Sequence, residues 1–579
     1  MRIALLATGI GATYLGLACL SIGPALVHHP TTATVTTQDA RITAWSLGWT
    51  AYAISHGHNV LFTSWANAPY GVNLMANATV LPVGALLAPF TLAFGAVAGL
   101  NLAIVLSFFL SALAFFALVR ALGFSTLAAF VGGLFFGFSP TLVAQASGHV
   151  NLTMAALLPV IFLTVYAIVV TQRRPPAVAG ALLGLVCALQ FFVSSEYLLS
   201  AVIMGAFAVA LCMVLRPIEI RRRARYVLVA TGTAAGVCGA VIAYPIFILF
   251  RGPQHIVGPI LASPQANRSD LLAPVLPTHF FLVAPHALTA VSQSFAGTLT
   301  ENGSYLGIPL LVALAVITVG LRKRLLVQVG AASIAVAFVL TLGSRLTVAN
   351  HVTGIPLPEA IFGHLPVFDN LDPARFSIYI DLWAAVLLAA GLGELVVWLR
   401  RRGTMPRLVA TVGAVAVAIP LLPAWPMPTA TIAVPRYVTT AAVDAVPAHS
   451  LVITYPFPYS ISDGTLLWQP ASHFRFKQAG GYFVEPRPHS GRVGWYSPTW
   501  TQAYLDQIAE GTRVPESATV RKELAIEWRS WRPSAVIADA SAPFFTYART
   551  FLDWITHEEP SCSQGACVWF HPARNVADP

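Results

Sequence analysis

The run Leu100 to Val119, LNLAIVLSFFLSALAFFALV, holds no charged residue and is followed at once by Arg120. As a helix it covers roughly 30 Å, the thickness of the bilayer hydrocarbon, so it reads as a membrane span. The pattern recurs along the chain. Apolar runs of similar kind occupy Ile3 to Val27, Leu127 to Val143, Leu152 to Val170, Ala177 to Val193, Tyr197 to Leu215 and Val227 to Phe250. They continue at Tyr305 to Leu321, Leu325 to Leu342, Phe376 to Leu399 and Leu408 to Leu422.

Composition agrees with this reading. Of 579 residues 56% are apolar and only 10% charged, with a mean hydropathy of +0.72. A soluble protein of this length does not bury such an excess, so the lipid bilayer is the expected solvent. The net charge of +10 does not make a nucleic-acid binder, because the basic residues sit in short clusters between apolar runs. The expected fold is a polytopic α-helical membrane protein with about 11 spanning helices.

Orientation turns on Val80 to Phe94, a short run with Pro82 and Pro89. Counting it as a span reverses the sidedness of everything after it. If it stays at the outer interface, with the N-terminus cytoplasmic, fifteen basic residues fall inside: Arg120, Arg173 and Arg174, five between Arg216 and Arg225, Arg322 to Arg324, Arg400 to Arg402, and Arg407. Only five fall outside, namely Arg41, Arg251, Arg268, Arg345 and Arg375. That asymmetry satisfies the positive-inside rule, so the run is assigned as an interfacial or re-entrant segment. The plasma (inner) membrane is then the expected location, with residues 1–426 as the membrane domain and 28–99, 251–304 and 343–375 as its outer loops.

This topology gathers chemistry on one face. All fifteen histidines and most acids of the membrane half, including Asp39, Glu196, Asp270, Glu301, Asp369 and Asp372, lie outside. Asp381 and Glu394 stand within the tenth span. Titratable groups on one face supply acid, base and anion-binding capacity, whereas short arginine turns on the other are topogenic.

The first outer loop carries Asp39, Trp45 and Trp49 at spacings that suit a helix at the membrane interface, its indoles at headgroup depth. Asp39 is a candidate base or the cap of that helix. Arg375, in FDNLDPARF, is a candidate anion ligand or the partner of Asp369 or Asp372. Glu196, beside Ser194 and Ser195, is a ligand or a cap, and Glu301 in TENGSY is placed to hold hydroxyls.

After Trp425 the composition changes, and residues 427–579 are expected to form an extracytoplasmic α/β domain. Its strands are expected at Leu451 to Tyr455, Ala535 to Asp539 and Cys567 to Phe570. Helices are expected at Trp500 to Glu510, Ser517 to Trp531 and Pro543 to Ile555. Trp468, Tyr482, Trp495 and Trp500 either line a saccharide groove or pack the core. Cys562 and Cys567 flank a glycine turn in a polar segment, the setting for a disulfide in an oxidising compartment.

The long first loop with its acid, the juxtamembrane segment, the many spans and the terminal outer domain together resemble the GT-C superfamily of membrane glycosyltransferases. Further likeness lies in Arg120-Ala-Leu-Gly, in Gly-Phe-Ser-Pro140, and in Gly148-His149-Val-Asn151. The resemblance implies transfer of a sugar from a polyprenyl-phosphate donor to an envelope glycan or glycolipid acceptor, with Asp39 as catalytic base. Donor phosphate or substrate would be held by Arg375, Arg41, His149, Arg268, Glu196 and Glu301. Asp39 lies between Gln38 and Ala40, so the paired acids of metal-dependent members are absent; no metal ligand is assigned and a divalent metal stays open. The rival readings are a transporter or flippase of lipid-linked glycan and a non-catalytic, envelope-binding scaffold.

Overall fold

The computed structural model describes residues 2–260, 264–365, 368–400, 404–459, 463–487, 490–494 and 499–575. Among these, seven helices are long and apolar enough to cross a membrane: Ala96–Ala121, Thr126–Gln145, Val150–Thr171, Pro176–Val193, Ser195–Leu215, Pro217–Arg251 and Pro373–Leu399. The protein is an integral membrane protein. The other four expected spans coincide with shorter apolar helices, Thr8–Leu20, Ile308–Gly320, Leu325–Thr341 and Met405–Leu421.

The chain divides into two compact units. The first comprises Met1–Leu26, Leu102–Ala243 and Leu261–Pro428. In lipid, apolar side chains gain little by meeting each other, so small residues that let backbones approach decide helix contacts. Gly133 and Gly137, four apart, do this on one helix: a Cβ on Gly137 would stand 2.4 Å from that of Ala112. Gly180 and Gly184 do it on another, where a Cβ would meet the carbonyl oxygens of Ala230 and Ala234 at 2.1 and 2.6 Å. The helix Ser377–Arg400 packs against Thr126–Gly137, Ile308–Gly320 and Leu325–Thr341, with Trp383 lying over Gly330.

Local signals place the helix ends. Ser125 accepts a hydrogen bond from the Ala128 amide at 3.2 Å, and Ser194 caps Ser195–Leu215 by accepting from the Tyr197 amide at 3.3 Å. Pro176 stands at the first position of Pro176–Val193, where its missing N–H costs nothing. A hairpin, Arg345–Val348 with His351–Pro356, turns through Ala349 and Asn350 at φ 48° and 64°. The buried Asp270 carboxylate accepts from both turn amides, at 3.0 and 2.8 Å, so this acid is a structural clamp.

The second unit comprises Val27–Asn101, Tyr244–Ile260 and Thr429–Pro579. Its five-stranded sheet runs Ser561–Ser563, Ala566–Phe570, Ala535–Asp539, Leu451–Tyr455, Lys477–Gln478. Ala535–Asp539 pairs in parallel with Leu451–Tyr455 and antiparallel with Ala566–Phe570. Each residue of the two central strands is buried, which explains why both are mostly apolar, with Thr454 and Asp539 the polar exceptions. Ile453, Tyr455, Val536 and Trp569 pack against Leu505, Leu524, Trp528 and Phe551 of three helices, Trp500–Ala509, Ala518–Trp531 and Phe545–Thr556. On the other face Val452, Ile537 and Val568 meet Tyr437, Trp468 and Phe476. Cys562 and Cys567 stand directly opposite in the hairpin and are joined as a disulfide.

This unit also holds the helix Gln38–His56, which packs on Leu81–Phe94 with Gly84 against Thr50. Trp45 and Trp49 are stacked at 6.0 Å, as their spacing implies, but they are 0% and 2% exposed. They are packed inside the protein rather than presented to lipid headgroups. Phe474 and Phe483 cover them edge-on, and Trp45 donates its indole N–H to Gln469 at 2.8 Å. Buried partners for both the ring and its N–H outweigh an interfacial position.

Candidate functional site

In the first unit, polar side chains from five separate segments meet around Arg375. The turn Pro373–Phe376, which leads into Ser377–Arg400, presents the guanidinium. Its Nη1 donates to Glu196, in the first turn of Ser195–Leu215. Its Nη2 donates to Glu301 at 3.1 Å and lies 3.7 Å from Asp372. Gln145 donates to the second Glu301 oxygen at 2.9 Å, His149 Nδ1 bonds the Gln145 carbonyl, and Asn267 donates to Asp372 at 2.7 Å.

The segments are held in register beneath the cluster. Thr141 donates its amide to Asp381 at 3.2 Å, and its hydroxyl bonds the Gly303 carbonyl and the Ser377 hydroxyl at 3.2 and 3.1 Å. Asp381, an intramembrane acid by sequence, is therefore a buried brace between two helices. Tyr379 similarly donates to the Tyr197 carbonyl at 3.0 Å.

Electrostatics divides the carboxyl groups. Burial opposes ionisation of Glu301, yet Arg375 and His149 and the hydrogen bonds from Arg375 and Gln145 hold it below the usual carboxylate range. Burial pushes Asp372 well above that range; Arg375 pulls it down, but Glu301 and Glu196 reinforce the rise. The same guanidinium thus favours the ionised form of Glu301, while burial favours the neutral form of Asp372. Asp372 Oδ1 and Arg375 Nε are both buried without a hydrogen-bond partner among the described residues. A hydroxyl group is both donor and acceptor, and is the kind of ligand that satisfies such atoms.

Residues 12–419, a span that includes the cluster, match a protein family described as "Domain of unknown function (DUF6311)". The chain belongs to the DUF6311 family. No curated protein sequence matches this DUF6311 chain. Among solved structures, the arabinofuranosyltransferase AftD from Mycobacteria is similar over 99% of this chain and 40% of its own, at TM-score 0.58 and 15% identity. The DUF6311 chain thus spans about two fifths of AftD. ArnT from Cupriavidus metallidurans matches at TM-score 0.44 and 9% identity, over 100% and 99% of the two chains. The oligosaccharyltransferase of Archaeoglobus fulgidus matches at 0.43 and 13%, over 92% and 69%. The likeness to AftD is one of fold.

Of the residues singled out by sequence, Arg375, Glu196, Glu301 and His149 come together in this cluster of the DUF6311 chain. Arg268 belongs to the same unit, and its Nε donates to Thr347 at 2.9 Å, beside the hairpin that Asp270 clamps. Asp39 and Arg41 belong to the other unit. Asp39 is the second residue of Gln38–His56, with Thr37 at the cap position, so its charge lies in the helix's first turn. Of the four aromatic residues expected to face saccharide or core, Trp468 is buried, Tyr482 is half-buried, Trp500 is exposed and Trp495 lies outside the described residues.

Gln145 and Asn267 were not legible as site residues, because a neutral amide carries no signature of its own. The one available signal was Gln145 standing four residues before His149 at the end of an apolar run. Among the described residues, no three His, Cys, Asp or Glu side chains are arranged to hold a metal ion.

Proposed function

We propose that this protein is a membrane glycosyltransferase that moves a sugar from a polyprenyl-phosphate donor to a cell-envelope acceptor on the extracytoplasmic face. The observation that carries the reading is the likeness to AftD, a named arabinofuranosyltransferase, over 99% of this chain. The topology that goes with it has eleven spans, a cytoplasmic N-terminus and an extracytoplasmic 427–579 domain, and the basic residues inside support it.

In this reading Asp39 takes the proton of an acceptor hydroxyl as that oxygen attacks the anomeric carbon. The bond from that carbon to the phosphate oxygen breaks, and polyprenyl phosphate leaves with the electron pair. Arg375, Glu301 and Asp372 bind sugar hydroxyls, which is supported by the unpartnered Nε and Oδ1 in the buried cluster. His149 and Glu196 orient those groups, and Arg41 and Arg268 are left to balance the phosphate charge.

The test is transfer of label from a panel of polyprenyl-phosphate sugars to envelope extract, by purified wild type and Asp39→Asn. The variant is expected to lose roughly 10²–10⁴ in rate, the usual contribution of a general base. Folded wild type that transfers from no donor would overturn the reading.

A further inference from the structure

In the unit formed by Val27–Asn101, Tyr244–Ile260 and Thr429–Pro579, a cleft of about 410 Å³ opens between the end of Gln38–His56 and two loops. Neither Asp39 nor any residue of the Arg375 cluster is in its lining. Its volume falls in the range of small-ligand sites, roughly 300–1,000 Å³. Its wall combines an aromatic column with a charged pair, which simple surface grooves do not.

The column rises from the core. Phe474, buried, stacks on Tyr52 at 4.8 Å and 30°, and the exposed His56 ring lies on Tyr52 at 4.1 Å and 25°. His56 is held flat because its Nδ1 bonds the Tyr52 carbonyl at 3.0 Å and the Ser55 hydroxyl at 2.9 Å. Across the opening, Arg475 Nη1 stands 3.5 Å from Asp444, whose carboxylate is 64% exposed. Arg475 is itself fixed, donating to the carbonyls of Val446 and Asp444 at 3.1 and 3.0 Å.

The loops are also strained toward this opening. His449, His473 and Phe474 adopt φ of 62°, 50° and 55°, a left-handed backbone that side chains of this size rarely take. Hydrogen bonds over-determine it. Phe474 N–H donates to the Gln469 carbonyl at 2.7 Å, and His449 N–H to the Arg475 carbonyl at 2.8 Å. The Gln469 side chain, 0% exposed, accepts from Trp45 and donates to the carbonyls of Trp65 and Phe476. The exposed imidazoles of His449 and His473 are therefore presented by a rigid frame rather than by loose loops.

A flat ring to stack on, a carboxylate beside a guanidinium, and several imidazoles form the chemistry that recognises a sugar: ring C–H on the aromatic face, vicinal hydroxyls on the acceptor and donor pair. The paired charges of Asp444 and Arg475 cancel, which favours a neutral ring over an acidic one. We infer that this cleft binds a neutral saccharide unit of the glycan acceptor, an inference that rests on the glycosyltransferase reading for the acceptor's identity.

Full-length protein in nanodiscs is titrated with neutral pentasaccharides of arabinose, mannose or glucose, and with oligogalacturonate, by saturation-transfer NMR. At least one neutral pentasaccharide is expected to bind saturably. Asp444→Ala and His56→Ala, both at exposed side chains, are each expected to weaken it at least about tenfold, the loss of one charge-assisted contact. Binding of oligogalacturonate alone, no neutral binding by folded wild type, or undiminished binding in both variants overturns the inference. Transfer by a preparation that binds none of these saccharides sinks the cleft alone, whereas saccharide binding without any transfer sinks the glycosyltransferase reading and leaves the cleft standing.

Discussion

Arg375 faces three carboxyl groups, and burial opposes ionisation of Asp372, the most buried of them. Removing the guanidinium leaves Glu301, 3% exposed, without its main counter-charge. Arg375→Met is therefore expected to cost about 3–5 kcal/mol, read as a drop in thermal stability in detergent, with Arg375→Lys recovering part of it. A variant as stable as wild type would show that the cluster is not a buried ion network. A second acid gives a pH test. Burial pushes Asp506 up to about 7, against a hydrogen bond from Gln502 and with help from Glu510. Its folded value lies above its unfolded one, so it favours the folded state fully below about pH 4. That contribution is lost as pH rises through about 7. The melting temperature of wild type relative to Asp506→Asn is expected to fall between pH 4 and pH 8; a constant difference would refute the shift.

Helices meet in the membrane half through glycine faces, and these leave no room for side chains. At Gly184 a Cβ already stands 2.6 Å from the Ala234 carbonyl oxygen, so Gly184→Leu must separate Pro176–Val193 from Pro217–Arg251. The expected cost is about 2 kcal/mol, measured as lowered thermal stability in detergent, while Gly205→Leu, where nothing lies within 4 Å, should be neutral. Element positions were readable in advance where one period dominated. The central strands Leu451–Tyr455 and Ala535–Asp539 stand where they were expected, because burial on both faces makes them mostly apolar, Thr454 and Asp539 excepted. The surroundings of Gln38–His56 were not readable. Two tryptophans four apart announce a helix face, but the same pattern serves a lipid headgroup layer or a protein core.

At the scale of the molecule, the charge asymmetry makes a prediction that no contact makes. Single-cysteine variants Arg222→Cys and Glu510→Cys, in a background without the native free thiols, should label oppositely with an impermeant maleimide on intact cells. Position 510 is expected to react from outside and position 222 only after permeabilisation. Labelling of position 222 from outside and of position 510 only after permeabilisation would reverse the topology, and with it the side on which transfer is proposed.

The membrane character, the helical spans and the α/β nature of the C-terminal segment were determined by the sequence itself, because hydropathy and periodicity are properties of consecutive residues. Only the tertiary structure decided that Arg375, Glu196, Glu301, His149, Gln145 and Asn267 meet, since they come from five stretches separated by as many as 230 positions between Gln145 and Arg375. It alone decided that residues 27–101 share a compact unit with 429–579. Those associations rest on the burial of Trp45 and on strand pairing between Ala33–Val35 and Thr429–Thr431, and long-range contacts of that kind leave no local trace in the chain.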